Sequence, residues 1–272
     1  MQFISNSLKV ASVLSLFLIV ASCGSDDDTF EINTSNTRTF EDVIADFENI
    51  DFQTGVNDLS VESTFNNVFW NFRVIIPESA SDLNKRPLVV RLHGAATIVN
   101  PDLHKTTECL VEPGFALLEP IILSPNSDGF IWYDLPNQEK VTLLTELMQT
   151  FLPVDEEKVV IMGYSDGANG AWYYAQHYPE LYSAAIPLAS AYNPIRPNVN
   201  TPVKIDIPMY VIHGSQDQLF PLSNTQGFVD TAVEAGTDLE FVVADGLDHF
   251  NSCDYVPYLQ DAVTWLQNTV WD

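Results

Sequence analysis

The stretch Lys158-Val-Val-Ile-Met162-Gly163-Tyr164-Ser165-Asp166-Gly167-Ala-Asn-Gly-Ala-Trp172-Tyr173-Tyr174-Ala-Gln-His-Tyr178 decides how the rest of this chain is read. Val159 to Met162 is a short, β-branched apolar run with the composition of a buried strand, and a small-residue and aromatic run of helical character follows Gly167. Between them, Gly163-Tyr-Ser165-Asp-Gly167 fits Gly-x-Ser-x-Gly, which in a strand–turn–helix context is a nucleophile elbow. The glycines have a steric reason. Side chains at 163 and 167 are expected to collide with neighbouring backbone, while Ser165 is lifted clear of the sheet. Its hydroxyl then sits at the mouth of the following helix, where main-chain N–H groups favour developing negative charge.

Outward from this turn, a strand–helix rhythm runs along the chain. Leu59–Phe65 and Val68–Ile76 read as opening antiparallel strands, and Pro87–Leu92 as a buried strand leading to His93-Gly94. Phe115–Leu123 reads as another strand, and Val141–Phe151 as a helix stopped by Pro153. Strands are expected at Ala184–Leu188, Ile207–Ile212 and Leu239–Ala244, and helices at 222–235 and 255–270. Residues 192–204, with Pro194, Pro197 and Pro202, read as a loop. Ahead of all this, Phe40–Phe47 suits a short helix capped by Thr39. Alternating strands and helices imply an α/β class with a mostly parallel sheet and helices on both faces, whose site gathers beyond the carboxyl ends of the strands.

On these residues the chain resembles the α/β-hydrolase superfamily, over about residues 68–270. Trp132-Tyr133-Asp134, Val154-Asp155, Gly-Tyr-Ser165-Asp-Gly, Tyr178-Pro-Glu-Leu-Tyr182 and His213-Gly-Ser-Gln-Asp217 are similar to segments of several branches. These are the phospholipase/carboxylesterase, secreted feruloyl-esterase and polyhydroxybutyrate-depolymerase-like branches. The resemblance implies a serine carboxylic-ester hydrolase with a short or absent lid and no cofactor. It does not imply a substrate, because one fold hosts many functions.

A serine hydroxyl needs a base, and the α/β-hydrolase order is Ser, acid, His. Of the five histidines, His177, His213 and His249 follow Ser165, and the first two precede the candidate acid, which leaves His249. The acid is expected to be Asp217, in His213-Gly-Ser-Gln-Asp217-Gln-Leu-Phe-Pro221, a segment that resembles the family's His-Gly-x-x-Asp-x-x-x-Pro; Asp248 and Asp245 are the alternatives. Oxyanion donors are expected from the main-chain N–H of Asp166 and from the His93-Gly94-Ala95-Ala96 turn, at Ala95. Here the sequence departs from the family, since Ala95-Ala96-Thr97 stands in place of glycine-rich forms. A carboxylate at 166 opposes an oxyanion, so the Asp166 side chain is expected to point away, capping the elbow helix. His93 is expected to plug a strand end. Trp132, Tyr133 and Tyr192 are the candidate substrate-pocket aromatics, and Trp172 reads as core.

The amino-terminal segment has a different character. Lys9, an apolar run from Val10 to Val20 and Ala21-Ser22-Cys23 form a secretory signal over residues 1–22, resembling a bacterial lipobox in which Cys23 is lipidated. Residues 23–40 read as an acidic tether, and 41–272 as the catalytic domain. Ser25-Asp-Asp-Asp28 is similar to surface-export tags of Gram-negative lipoproteins, which implies an exported, outer-membrane protein, periplasmic or cell-surface. A net charge of −26, from 37 acidic against 11 basic residues, repels phosphate backbones and anionic headgroups. Nucleic acid is therefore not an expected partner, and the membrane is contacted through the lipid alone. Cys109 and Cys253 would be the mature chain's remaining cysteines and are a candidate disulfide. No metal-ligand spacing is present. Two other readings compete: a prolyl-oligopeptidase-like peptidase, weakened because no propeller-sized region precedes the hydrolase segment, and a binding lipoprotein that keeps the fold without turnover.

Overall fold

The computed structural model describes residues 38–196 and 201–272. The signal segment, Cys23 and the tether as far as residue 37 lie outside the described residues. Helix α1 (Phe40–Glu48) opens on the expected cap: Thr39 and Asp42 form a reciprocal capping box. Strands β1 (Gly55–Glu62), β2 (Phe69–Ile76) and β3 (Arg86–Leu92) follow, then a short helix α2 (Val111–Gly114) and β4 (Ile121–Pro125). Next come α3 (Leu135–Phe151), β5 (Val154–Tyr164), α4 (Asp166–His177) and β6 (Ala184–Leu188). A two-stranded hairpin, β7 (Ile195–Arg196) with β8 (Thr201–Pro202), leads to β9 (Met209–Gly214), α5 (Leu222–Glu234), β10 (Leu239–Ala244) and α6 (Val256–Trp265).

Eight strands form one sheet in the order β1-β2-β4-β3-β5-β6-β9-β10. β1–β2 and β2–β4 are antiparallel and every other pairing is parallel. Alternation along the strands builds two cores. Leu88, Val90, Leu92, Val159 and Ile161 face the side covered by α1, α3, α4 and α5. Val89, Val160, Met162, Tyr210 and Ile212 face the side covered by α2 and α6. Central strands buried on both faces read as continuous apolar runs, which is why they were legible. Cys109 and Cys253 are disulfide-bonded, with Cα atoms 5.1 Å apart.

Three expectations need correction. The run from Phe115 is not strand: it follows α2 and turns, and β4 begins only at Ile121. Glu119 has φ 44 ahead of Pro120, which breaks extended structure there, and Phe115 is buried with Val111 and Leu259 in the core instead. α3 starts at Leu135 rather than 141, because Pro136 occupies the first turn, where its missing N–H costs nothing. The 192–204 segment carries the short β7–β8 pairing rather than loop throughout.

Candidate active site

The elbow closes as its glycines require. A Cβ on Gly163 would strike the Gly167 main chain, and one on Gly167 would strike the carbonyl of Leu92. α4 is thereby pressed against the ends of β3 and β5. At the corner, Ser165 takes φ 58 and ψ −122, a strained conformation for an L-residue. Its N–H donates to Leu188 O (3.0 Å), tying the corner to β6.

Ser165, His249 and Asp217 come together from the carboxyl ends of β5, β10 and β9. Ser165 Oγ lies 2.8 Å from His249 Nε2, and His249 Nδ1 lies 2.7 Å from Asp217 Oδ2. The carboxylate can only accept, so Nδ1 carries the proton and Nε2 is left to accept from the serine hydroxyl. Asp217 is buried, and its second oxygen, Oδ1, accepts from the main-chain N–H of Leu219 (2.9 Å) and Phe220 (2.7 Å). The same carboxylate thus holds its own loop and orients the imidazole. The two alternative acids are engaged elsewhere: Asp248 Oδ1 accepts from Phe250 N–H (2.8 Å) and Asp245 Oδ1 from Ser215 Oγ (3.1 Å).

Sequence reasoning overlooked the residues that hold the histidine in place. Tyr164, immediately before Ser165, donates its hydroxyl to His249 O at 2.8 Å, and Tyr255 donates to Asp248 O at 3.0 Å. Burial pushes both phenols up, so they remain donors at any working pH. Phe220 meets the His249 ring edge-on with centroids 4.9 Å apart. His213 donates from Nε2 to Phe220 O (2.8 Å), and its Nδ1 is buried without a partner among the described residues, consistent with a neutral ring whose pKa burial holds down. The only advance signal for Tyr164 was its place inside the elbow motif.

Gly94 packs against Ser165, and a Cβ there would sit 3.3 Å from that of the serine. Ala95 follows with φ 54, the left-handed conformation that glycine usually supplies, and its N–H has no acceptor among the described residues. The N–H of Asp166, first residue of α4, has no partner within its helix. The Asp166 side chain does not cap α4: Oδ2 accepts from Ala96 N–H at 3.0 Å, in the turn after β3. His93 does plug the strand end. It donates from Nδ1 to Gly94 O (2.7 Å) and accepts Ser127 N–H at Nε2 (3.1 Å). Burial, then the Arg91 charge, lower its pKa to about 3, so it stays neutral.

Trp132 is not a pocket wall. It is 1% exposed, donates Nε1 to His93 O (2.9 Å) and fills the space that a side chain at Gly170 would need. Trp172 is core, as expected, bonded to Ser190 Oγ at 3.0 Å. Tyr133 remains exposed beside Tyr173 (5.6 Å between centroids); burial, then the Asp166 charge, raise its pKa. Tyr192 stacks on Trp172 and donates to Gln176 Oε1 (3.1 Å). A cleft of about 660 Å³ is lined by residues that include Arg91, His93, Gly94, Met162, Tyr164 and Ser252, but by none of Ser165, Asp217, His249 or the three predicted aromatics.

Comparison with known proteins agrees with this architecture. The dienelactone hydrolase family matches residues 72–265. A crystal structure described as a thermostable esterase superposes with a TM-score of 0.63 at 20% identity, over 83% of this chain and 63% of that one, so the match spans less than two thirds of that esterase's length. A hyperthermophilic esterase from Pyrobaculum calidifontis gives a TM-score of 0.63 at 14% identity, covering 83% of this chain and 86% of that one. A fluorophosphonate-binding serine hydrolase of Staphylococcus aureus gives 0.60 at 17%, covering 79% of this chain and 100% of that one. At these identities the likeness is one of fold, the α/β-hydrolase fold. No curated protein matches in sequence.

Proposed function

The chain belongs to the dienelactone hydrolase family, and from that premise we propose that it is a serine esterase working through an acyl-enzyme. The observation that carries this is the continuous hydrogen-bonded chain Ser165 Oγ–His249 Nε2 (2.8 Å) and His249 Nδ1–Asp217 Oδ2 (2.7 Å). Ser165 Oγ attacks the ester carbonyl as its proton passes to His249 Nε2. The imidazolium formed is stabilised by Asp217, whose hydrogen bond has already fixed the tautomer. The new oxyanion is met by the N–H groups of Asp166 and Ala95, both without another acceptor among the described residues. His249 returns the proton to the leaving alcohol, and the acyl-serine is then hydrolysed by water activated on the same base. All proton traffic runs through side chains, so the reading requires no cofactor or metal.

In this reading Tyr133 and Tyr192 flank the acyl or leaving group. The chain is also proposed to be exported and anchored through lipid on Cys23. Radiolabelled-palmitate incorporation that persists in Cys23→Ser would overturn that part alone.

The test is hydrolysis of p-nitrophenyl esters from acetate to decanoate by wild type and Ser165→Ala, alongside labelling with a fluorophosphonate. Turnover and labelling are expected in the wild type, and both should vanish in the variant. Ester turnover that survives in Ser165→Ala would refute the assignment, and no turnover on any ester would favour the binding-protein reading.

A further inference from the structure

The Asp166 side chain has no part in the chemistry above, and its charge is of the wrong sign for an oxyanion site. Its contact is nevertheless specific: Oδ2 accepts the main-chain N–H of Ala96 at 3.0 Å, 70 residues away in sequence. Ala96 is fully buried, so its N–H requires an acceptor. The rest of the turn is held just as closely. Trp132 Nε1 donates to His93 O (2.9 Å), His93 Nδ1 to Gly94 O (2.7 Å), Ile98 N–H to Ala95 O (3.0 Å) and Ser127 Oγ to Ala96 O (2.7 Å). In the middle of these bonds the Ala95 N–H is left without an acceptor among the described residues, on a residue with φ 54. An alanine enters that region against its own preference, so its neighbours must hold it there.

Building on the serine-esterase reading, we propose that Asp166 is a positioning residue that sets the second oxyanion donor. By binding Ala96 N–H to the first turn of α4, its carboxylate holds the 94–96 turn in the left-handed form that presents Ala95 N–H beside Ser165. It supplies from outside the conformational control that a glycine would otherwise give at 95. One residue thus serves both halves of the oxyanion site, its main chain as a donor and its side chain as the anchor of the other donor. What matters is the acceptor oxygen and its reach, because the negative charge itself disfavours the oxyanion.

The test uses p-nitrophenyl acetate kinetics on wild type, Ser165→Ala, Asp166→Ala and Asp166→Asn, with inhibition by an aryl trifluoromethyl ketone. In the ketone adduct Ser165 Oγ bonds to the carbonyl carbon, the serine proton moves to His249 and the carbonyl oxygen becomes the oxyanion. Asp166→Ala is expected to lower kcat about 10- to 100-fold with KM within about twofold, and to raise the ketone Ki by the same factor as kcat falls. Asn keeps an acceptor of equal reach, so Asp166→Asn should recover most of that loss. Asp166→Ser, whose oxygen is too short to reach Ala96, should behave like the alanine variant and stands in for it if that variant misfolds. Unchanged kcat and Ki in Asp166→Ala would overturn the proposal, as would an asparagine variant no better than the alanine one. Wild-type turnover that does not depend on Ser165 would instead refute the esterase reading on which the proposal rests.

Discussion

Replacing Asp217 by Asn is the sharpest probe of the site. Oδ1 accepts two main-chain N–H groups, from Leu219 and Phe220, while Oδ2 faces His249 Nδ1 at 2.7 Å. An asparagine has to keep its oxygen on the two N–H groups, because turning its NH2 toward them would strand two buried donors at about 1–3 kcal/mol each. Its NH2 then points at Nδ1. His249 must accept there, and its proton moves to Nε2, the atom that should receive the proton of Ser165. The same exchange in a serine-protease triad costs about 10⁴-fold in kcat, which at 1.36 kcal/mol per decade is about 5.5 kcal/mol of transition-state stabilisation. The loop stays bonded, so the thermal midpoint should barely move. The assay is initial-rate hydrolysis of p-nitrophenyl acetate, with fluorophosphonate labelling rate as a second readout. Asp245→Asn and Asp248→Asn serve as controls and should stay within about twofold of wild type, since neither carboxylate faces the histidine. An Asp217→Asn enzyme within tenfold of wild type, or a larger loss at Asp248, would refute the reasoning.

Other expectations follow from individual contacts. Tyr164→Phe removes the hydrogen bond to His249 O (2.8 Å) but keeps the ring; kcat should fall about 3- to 10-fold, the kinetic equivalent of about 1 kcal/mol, with little change in KM. An unaltered kcat would mean that the histidine loop does not depend on that bond. The Cys109–Cys253 bridge spans 144 residues, and its loss in the double Cys→Ser variant should cost about 2–5 kcal/mol in urea denaturation; equal midpoints would show the bridge to be idle. His93 titrates near 3 in the fold against 6.5 when unfolded. The unfolded chain therefore binds the proton first, and stability should fall as pH drops from about 6.5 to about 3, by roughly 1.4 kcal/mol per unit. Denaturant midpoints across that range should flatten in His93→Gln, and an identical slope would rule out His93 as the source.

What the sequence revealed, it revealed through local chemistry. The elbow was legible because a tight corner forces glycine at 163 and 167, and the central strands because burial on both faces leaves unbroken apolar runs. Asp217 and His249 are legible from their positions after successive strands together with the resemblance to the α/β-hydrolase order, and the structure brings both to Ser165. The failures have a common cause. Phe115 reads as strand and Trp132 as pocket in the sequence because an apolar residue's composition is the same whether it packs in a core, a strand or a site. The Tyr164–His249 bond and the Asp166–Ala96 bond join residues 85 and 70 apart. No local pattern marks such pairs, since each depends on loops that meet only after the sheet has formed.

The corner at Ser165 bears on how this protein can change. With φ 58 and ψ −122, the residue stores strain of order 1–3 kcal/mol that a glycine would release almost entirely. The less strained neighbour of this sequence is therefore one mutation away, and on the serine-esterase reading it is inert. Selection for stability alone would move position 165 off serine; on that reading, turnover is what holds it there. Such a protein lives below its own stability ceiling, and on the serine-esterase reading the shortfall sits at the nucleophile.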